Sequence, residues 1–359
     1  MVVSERMIER SKLVVREMEQ EDSADWDDFV RRQPGGLPTH LCGWRQVMQK
    51  TYGYETRFLM VEDDDQILGV CPLFIVPSRL TGKRIMTMPG GICAANDQAA
   101  AELLERTAEI AEAERLKSAV IQDSRQTWSV KWQVESGHVF WLLPLPEKEE
   151  RLWSQLDGNI RRQVRKARKN GLRAEIDRRG DLLPAFYEMF GRFTHQAGTP
   201  IFSYQFLENV VQAFPDGFNI ALIWHEEKAI AGYFQLEMGD TTYGMWGAAL
   251  PETLKLRSAY LALWEIMSDA IDKGFTYLDM GRSPAGSNAS KFKEQWGGKD
   301  APVYQLIKHE DGTIVKGEAI TNQVQSDQRF QLFIQLWPRL PYSLTRRLGP
   351  KLRWHIPFA

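Results

Sequence analysis

The residues with the clearest chemical potential lie between Phe275 and Gly298. Asp279 ends a predicted buried strand, and the glycines that follow let the backbone turn tightly. Lys291 and Lys293 come next and are predicted to lie in the first turn of a short helix, where free N–H groups favour negative charge. An ammonium beside open amides suits the oxyanion that forms during acyl transfer. The same pattern also fits a capped turn with two solvated lysines.

Four further residues are candidates around this turn. Asp279 is the acid best placed to accept a proton from an attacking amine. Arg282 either forms an ion pair with Asp279 across the turn or contacts a phosphate or carboxylate of a substrate. Gly247 ends a strand beside the expected cleft, where a ligand can approach the backbone or strands can pack tightly. Tyr260, on the next predicted helix, is either a core residue or a substrate contact.

A basic helix is predicted between Ile160 and Lys169, with a narrow apolar stripe that would dock it while its cations face outward. Its cations include Arg165 and Lys166, which could hold phosphates of a tRNA or of a lipid-linked sugar precursor. A solvated helix face explains the same charges. The segment from Gln328 to the end has no acid and mixes basic with aromatic and leucine residues. It could lie on an anionic bilayer or fold back on the protein, and its prolines favour the second.

The elements that must position these residues occur twice along the chain. In each half three strand-like runs precede a helix and a buried strand, and Asp123 follows its strand as Asp279 follows its own. Hairpins that lead into one crossover helix give a mixed sheet with helices on its faces. The predicted fold class is therefore α/β (α+β). Each of two tandem domains would hold a mixed, largely antiparallel sheet flanked by helices.

Bulk composition limits the function classes. The chain has 359 residues, 43% of them hydrophobic, and a formal net charge of −2, so any polyanion must bind at a local patch. The three cysteines are widely spaced, without a partner His cluster, and predict neither disulfides nor a metal site. The start of the chain has no secretory signal pattern, and no apolar run has the length of a membrane span. We expect a cytoplasmic protein with no metal or redox cofactor.

In combination, YLDMGRS and SKFKEQWGG, the basic IRRQVRKARKNGL segment and the closing WPRLPYSLTRRLGPKLRW resemble the FemAB-like branch of the GNAT acyltransferase superfamily. The nearest resemblance is to FemAB-related proteins encoded with exosortase or exopolysaccharide systems. The resemblance runs from about residue 56 to the C-terminus. It implies two GNAT-like domains and transfer of an amino acid from charged tRNA, or of an acyl group from a thioester, to an amine. Phe292 and Lys293 match the Phe-Lys pair of this family, whose lysine is proposed to steady the tetrahedral intermediate.

These expectations define one hypothesis and one alternative. The chain is predicted to be an N-acyltransferase or aminoacyltransferase that forms an amide on a cell-envelope or exopolysaccharide precursor, peptidoglycan included. Its domains would span 1–145 and 146–310, followed by a tail over 311–359. The glycine loop that cradles coenzyme A is absent before the second crossover helix. The chain also has no coiled-coil arm of the kind that some Fem enzymes use for tRNA. The identity of the acyl donor is therefore left open. The tail is a candidate for peripheral contact with the inner membrane face. The alternative is a non-catalytic module that binds a lipid-linked glycan or RNA through Arg161–Lys169.

Overall fold

One continuous sheet of thirteen strands runs through the molecule. The structure is a computed structural model that describes residues 13–80, 82–128, 131–310 and 328–356. The strands are β1 (Val14–Glu17), β2 (Glu55–Asp63), β3 (Gln66–Ser78), β4 (Gly82–Thr87), β5 (Cys93–Ala94), β6 (Ser118–Ser124), β7 (Gln133–Pro144), β8 (Leu172–Asp177), β9 (Phe218–His225), β10 (Lys228–Met238), β11 (Thr241–Ala249), β12 (Tyr277–Pro284) and β13 (Lys299–His309).

Helices cover both faces of this sheet. They are α1 (Ser23–Arg32), α2 (Gly43–Tyr52), α3 (Asp97–Ala113), α4 (Glu149–Gln155), α5 (Gly158–Lys169), α6 (Leu183–Gln196), α7 (Tyr204–Ala213), α8 (Ser258–Asp272), α9 (Asn288–Glu294), α10 (Gln328–Leu336) and α11 (Tyr342–Arg353). Alternate residues of a strand point to opposite faces. In β2, Phe58 and Met60 therefore join the core under α1, α2, α6 and α7, whereas Leu59 and Val61 join the core under α3.

The strand order repeats outward from the centre of the sheet. It runs β1-β2-β3-β4-β6-β13-β7-β12-β11-β10-β9-β8, with β5 beside β3. Reading outward, β6 matches β12, β4 matches β11, and β1 matches β8. The β4–β6 and β11–β12 pairs are parallel, and the other pairs are antiparallel. The predicted pair of mixed, largely antiparallel GNAT-like sheets flanked by helices is thus confirmed.

The two halves exchange their last strands at the centre. β7, from the first half, pairs with β12 of the second, and β13 pairs with β6 of the first. β7 and β13 also pair with each other along most of their length. Residues of β12 and residues at the end of β6 are therefore close together at the middle of one sheet. The domain limits 1–145 and 146–310 stay a prediction.

The predicted basic helix is α5, and a separate helix, α4, precedes it. The break falls at Asp157, whose side chain accepts a hydrogen bond from the Asn159 N–H (2.7 Å) and so caps α5. Residues 251–256 form a 3₁₀ helix, and α8 begins only after Arg257, which adopts a left-handed backbone conformation (φ 70°).

The described part of the C-terminal segment folds back on the protein, as its prolines predict. The hydroxyl of Thr345 on α11 lies 2.9 Å from Nδ1 of His195 on α6. The Trp354 indole donates to the carbonyl of Tyr52 in the first half (2.8 Å). The tail therefore bridges both halves of the chain. Residues 311–327 of the predicted tail lie outside the described residues. Among the described helices, none is both long and apolar enough to cross a bilayer.

Candidate functional site

The candidate site lies where two parallel strands part. β11 and β12 pair only over Thr241–Tyr243. A register shift between Asp279 and Arg282 interrupts the pairing of β12 with β7, which resumes at Arg282. Gly281 stands at this point with φ 71°. A Cβ there would lie 2.6 Å from the carbonyl oxygen of Gly244, so glycine is required by both conformation and space. The strands thus diverge from one close backbone contact.

Lys293 reaches into this bulge from α9. The Ser287 side chain caps the helix by accepting a hydrogen bond from the Ser290 N–H (3.2 Å). Because α9 begins at Asn288, Lys293 lies in its second turn, and the predicted position beside the helix amides is wrong. Its Nζ donates instead to the carbonyls of Gly281 (2.8 Å) and Arg282 (3.1 Å). An ammonium has three donors, so these two bonds leave one for a ligand oxygen.

Burial changes the acidity of this lysine. It lowers the pKa of Lys293 to about 8, and the nearby carboxylate of Asp279 acts in the opposite direction. Desolvation disfavours the charged form, which explains the sign. Most of the population still carries the charge at pH 7, but the proton is far easier to remove than from a surface lysine. Strongly perturbed groups of this kind cluster at functional sites.

Aromatic packing fixes α9 against α8. The Phe292 ring meets Tyr260 edge-on, with centroids 5.1 Å apart, and Trp296 packs against both rings. The Tyr260 hydroxyl donates to Oε1 of Gln295 (3.1 Å). Phe292 and Tyr260 therefore hold the lysine-bearing helix in place. Their predicted contact with substrate stays a prediction.

Two ion pairs cross the centre of the sheet in a reciprocal arrangement. Asp279, in β12, pairs with Arg125 of the first half and also accepts from the Gly281 N–H (2.8 Å). Arg282 pairs with Asp123, which lies near the end of β6 (2.6 Å). The predicted pair between Asp279 and Arg282 is therefore wrong, because each residue binds across to the other half. The exchange of β7 and β13 makes this crossing possible.

Both carboxylates of these pairs are almost fully buried, with 2% of Asp279 and 5% of Asp123 exposed. Each oxygen of Asp279 already accepts a hydrogen bond. The geometry favours a structural link between the halves, and the role of general base stays a prediction. In the sequence, Asp123 stands out only because it follows a predicted strand as Asp279 does. No sequence pattern points to Arg125, because its partner lies 154 positions away.

The remaining predicted contacts lie apart from this centre. A Cβ on Gly247 would lie 2.2 Å from the Tyr233 ring, so tight packing across β10–β11 accounts for that glycine. Arg165 and Lys166 are exposed on α5, whose buried stripe is the predicted one. The Arg165 guanidinium lies 5.4 Å from the Trp153 ring centroid. The structure shows no ligand function for these residues, which remain predicted substrate contacts.

The described part of the molecule has two notable cavities. The larger, of about 530 Å³, lies between α6 and α11 and is lined by tyrosines and arginines such as Tyr204 and Arg347. The smaller, of about 340 Å³, is lined by polar residues that include Arg125 and Trp128. Lys293 lines neither cavity. The smaller one reaches the ion-pair centre through Arg125.

Comparison with known proteins agrees with this fold. Residues 154–294 match the sequence model of the acetyltransferase (GNAT) domain, a range that ends just after Lys293. The crystal structure of FemX is similar to this fold, with a TM-score of 0.63 and 17% sequence identity. The match covers 82% of this chain and 96% of the FemX chain. The C-terminal domain of a putative lysylphosphatidylglycerol synthetase from Agrobacterium fabrum matches with a TM-score of 0.56 at 11% sequence identity. This match covers 80% of this chain and 92% of that domain. L-PGS from Bacillus licheniformis matches with a TM-score of 0.53 at 11% sequence identity, over 92% of this chain and 100% of the L-PGS chain. No curated protein matches the sequence.

These findings establish the fold and the general class of the chain. It carries a GNAT acyltransferase domain, and its overall fold is that of FemX, as the resemblance to the FemAB-like branch implies. Donors of this class are acyl-coenzyme A or aminoacyl-tRNA, neither of which is a tightly bound cofactor. The donor, the acceptor and an association with exosortase systems belong to what is proposed below.

Proposed function

We propose that the chain transfers an acyl or aminoacyl group to an amine on an anionic cell-envelope or exopolysaccharide precursor. The observation that carries the proposal is Lys293, a half-buried ammonium beside the parting of β11 and β12. Two of its three N–H donors bind backbone carbonyls, and the third has no partner among the described residues. Similar folds in FemX and in lysylphosphatidylglycerol synthetases support aminoacyl transfer in general. The envelope acceptor rests on the FemAB resemblance.

The reaction follows from ordinary acyl transfer. The amine nitrogen attacks the carbonyl carbon of an ester or thioester, and negative charge develops on the carbonyl oxygen. Lys293 would donate its third N–H to that oxygen. The intermediate then collapses as the C–N bond is retained and the alkoxide or thiolate leaves. The leaving group takes the proton that the amine loses, because Asp279 is already engaged with Arg125 and Gly281.

A transfer assay tests this function. Full-length protein would be incubated with a cell extract of nucleotide-linked and lipid-linked sugar precursors, with labelled aminoacyl-tRNA in one arm and labelled acyl-coenzyme A in the other. We expect one of the two donors to give label in an alkali-resistant amide. The amount of label should be at least tenfold higher than with the Lys293→Ala protein. Equal label with both proteins, or none with either donor, would refute the proposal.

We further propose that the tail contacts an anionic membrane surface. Leucines recur at every fourth position from 332 to 348, and all five are 36–55% exposed. Arg339, Arg347 and Lys351 are exposed among them, and the segment from residue 328 has no acid. Apolar side chains rimmed by cations suit the interface of an anionic bilayer.

Replacing Leu340 and Leu344 by serine is expected to lower binding to phosphatidylglycerol vesicles about tenfold, because less apolar surface enters the interface. Sedimentation with vesicles measures the bound fraction, and phosphatidylcholine vesicles should bind little of either protein. Leu254→Ser is a matched control, since Leu254 is 49% exposed on a different surface element. Equal binding by all three proteins would exclude the tail as the contact.

A further inference from the structure

The larger cavity is formed where the C-terminal helix packs on the second half of the chain. Its volume is about 530 Å³, and residues of α6, α11 and the start of α7 form its walls. Gly191 on α6 lets the helices approach closely, because a Cβ there would lie 2.6 Å from the Tyr342 hydroxyl of α11. That hydroxyl donates a hydrogen bond to Oε2 of Glu188 (3.3 Å). Since Lys293 does not line this cavity, it differs from the candidate acyl-transfer site.

One carboxylate holds two guanidiniums at the wall of this cavity. Oε1 of Glu188 lies 2.9 Å from Nη2 of Arg192, one turn further along α6. Oε2 of Glu188 lies 3.0 Å from Nη1 of Arg346 on α11. Each pair occupies one nitrogen of its guanidinium, whereas a guanidinium has five N–H donors. Both arginines therefore keep donors for a ligand in the cavity.

Aromatic rings restrict the same two arginines. The Arg192 guanidinium lies over the Tyr342 ring, 5.0 Å from its centroid. The Arg346 guanidinium lies over the Tyr187 ring, 5.7 Å from its centroid. A guanidinium that is both stacked on a ring and paired with a carboxylate has little rotamer freedom left. Binding of a ligand therefore costs less side-chain entropy here than at a free arginine.

The charge that lines the cavity is positive. Arg347 also lines it and forms no ion pair with any residue that the structure describes. Three arginines therefore share the single carboxylate of Glu188, an excess of two positive charges. The tyrosines of the wall are uncharged at pH 7. Guanidiniums in such excess favour an anion with several oxygen acceptors, and their planar forks suit phosphate.

The exposed leucines of the tail begin beside this cavity. Successive residues of an α-helix are rotated by about 100°, so Arg347 lies between the side of Arg346 and the side of Leu344. Leu344 and Leu348 follow each other on that outer side and are 42% and 36% exposed. A molecule that carries both a phosphate and apolar chains would thus have its phosphate in the cavity and its chains along the leucines.

We propose that this cavity binds the phosphate group of an anionic phospholipid and anchors the protein at the membrane surface. The proposal rests on the membrane contact proposed for the tail, to which it adds a site for the headgroup. Basic pockets at the membrane surface bind anionic headgroups. A zwitterionic headgroup fits less well, because its own cation would face the three arginines. The lipid is an anchor and not the acyl acceptor, since Lys293 lies outside the cavity wall.

A soluble lipid tests the cavity without a bilayer. Dihexanoylphosphatidylglycerol, kept below its micelle concentration, would be titrated into the full-length protein and followed by ligand-observed NMR. We expect saturable binding, and about tenfold weaker binding of dihexanoylphosphatidylcholine. Arg347→Lys keeps the charge but loses the planar fork, so its affinity should fall about fivefold. Lys351→Arg is the matched control and should bind normally, because Lys351 is exposed one turn further along α11 and does not line the cavity.

Two results of this titration would overturn the lipid site. They are the absence of saturable binding and equal binding by the Arg347→Lys protein. Inorganic phosphate is added as a competitor, and if it bound as tightly as the lipid, the cavity would be a site for soluble phosphate and the anchor would be refuted.

The serine variant of Leu340 and Leu344 separates this proposal from the one on which it rests, because it keeps all three arginines. If the serine variant binds vesicles normally while soluble lipid still binds through Arg347, the leucine contact fails and the headgroup site stands. If it loses vesicle binding while the unmodified protein binds no soluble lipid, the headgroup site alone fails. Neither measurement needs an acyl donor, so an inactive protein would refute only the proposed reaction.

Discussion

Lys293→Ala is expected to lower kcat for acyl transfer by about 10²–10³-fold. One well-placed donor to a developing oxyanion contributes on that scale, since the ammonium is held rigidly by the carbonyls of Gly281 and Arg282. KM should change little, because the interaction strengthens only in the transition state. Steady-state rates with the active donor measure the effect.

Lys291→Ala is the matched control for this experiment. Lys291 lies two positions away on α9 and is exposed, so its removal should leave kcat within about twofold. Lys293→Ala also leaves two carbonyls without a donor, which costs roughly 1–3 kcal/mol of stability. Rates must therefore be compared at a temperature where urea unfolding shows both variants fully folded. A folded Lys293→Ala protein with normal kcat would contradict the role.

The pH dependence separates two roles for this lysine. If the ammonium stabilises an oxyanion, kcat falls as pH rises through the Lys293 pKa of about 8, tenfold per pH unit beyond it. If neutral Lys293 were instead the base, kcat would rise up to that pH. The first outcome is expected, because two backbone carbonyls accept from the charged form. Donor hydrolysis without protein must be subtracted at each pH.

Much of the fold could be predicted because it depends on local patterns. Alternating apolar runs and helical spacing gave the strands and helices of both halves, and their repeated order gave the tandem architecture. The strands without a prediction were β5, β7, β8 and β13. β13 contains Pro302, which normally argues against a central strand, and the register shift after Val303 helps to accommodate it. β7 and β13 are also the exchanged pair, and no local signal shows an exchange between halves.

The site was predictable only in part for the same reason. Phe292 and Lys293 are adjacent in sequence, and a short motif is enough to find them. Arg125 and Asp279 are far apart in sequence, and the contact arises because β7 and β13 cross at the centre. Trp354 lies in a segment whose composition suggested a membrane contact. It is held instead by hydrogen bonds with Tyr52 and Tyr54, which are about 300 positions away in sequence.

Removing Arg125 is expected to destabilise the protein more than neutralising Asp279. Arg125→Ala leaves an almost fully buried carboxylate with the Gly281 N–H and the nearby Lys293 ammonium but without its ion-pair partner, which costs roughly 3–5 kcal/mol. Asp279→Asn keeps an acceptor for that N–H, and the freed guanidinium can turn to water, since 26% of the Arg125 side chain is already exposed. Urea unfolding measures both free energies.

The comparison also tests what holds the halves together. Adding Asp279→Asn to Arg125→Ala should recover part of the lost stability, because the uncompensated charge is then gone. Arg106→Ala, which breaks a surface pair with Glu109, should cost under about 1 kcal/mol and calibrates the assay. If Asp279→Asn cost more than Arg125→Ala, the carboxylate would have a role beyond this pair. If instead Arg125→Ala costs more stability and Asp279→Asn keeps most of the kcat, Asp279 serves to join the two halves. The proton of the attacking amine is then accepted by another group.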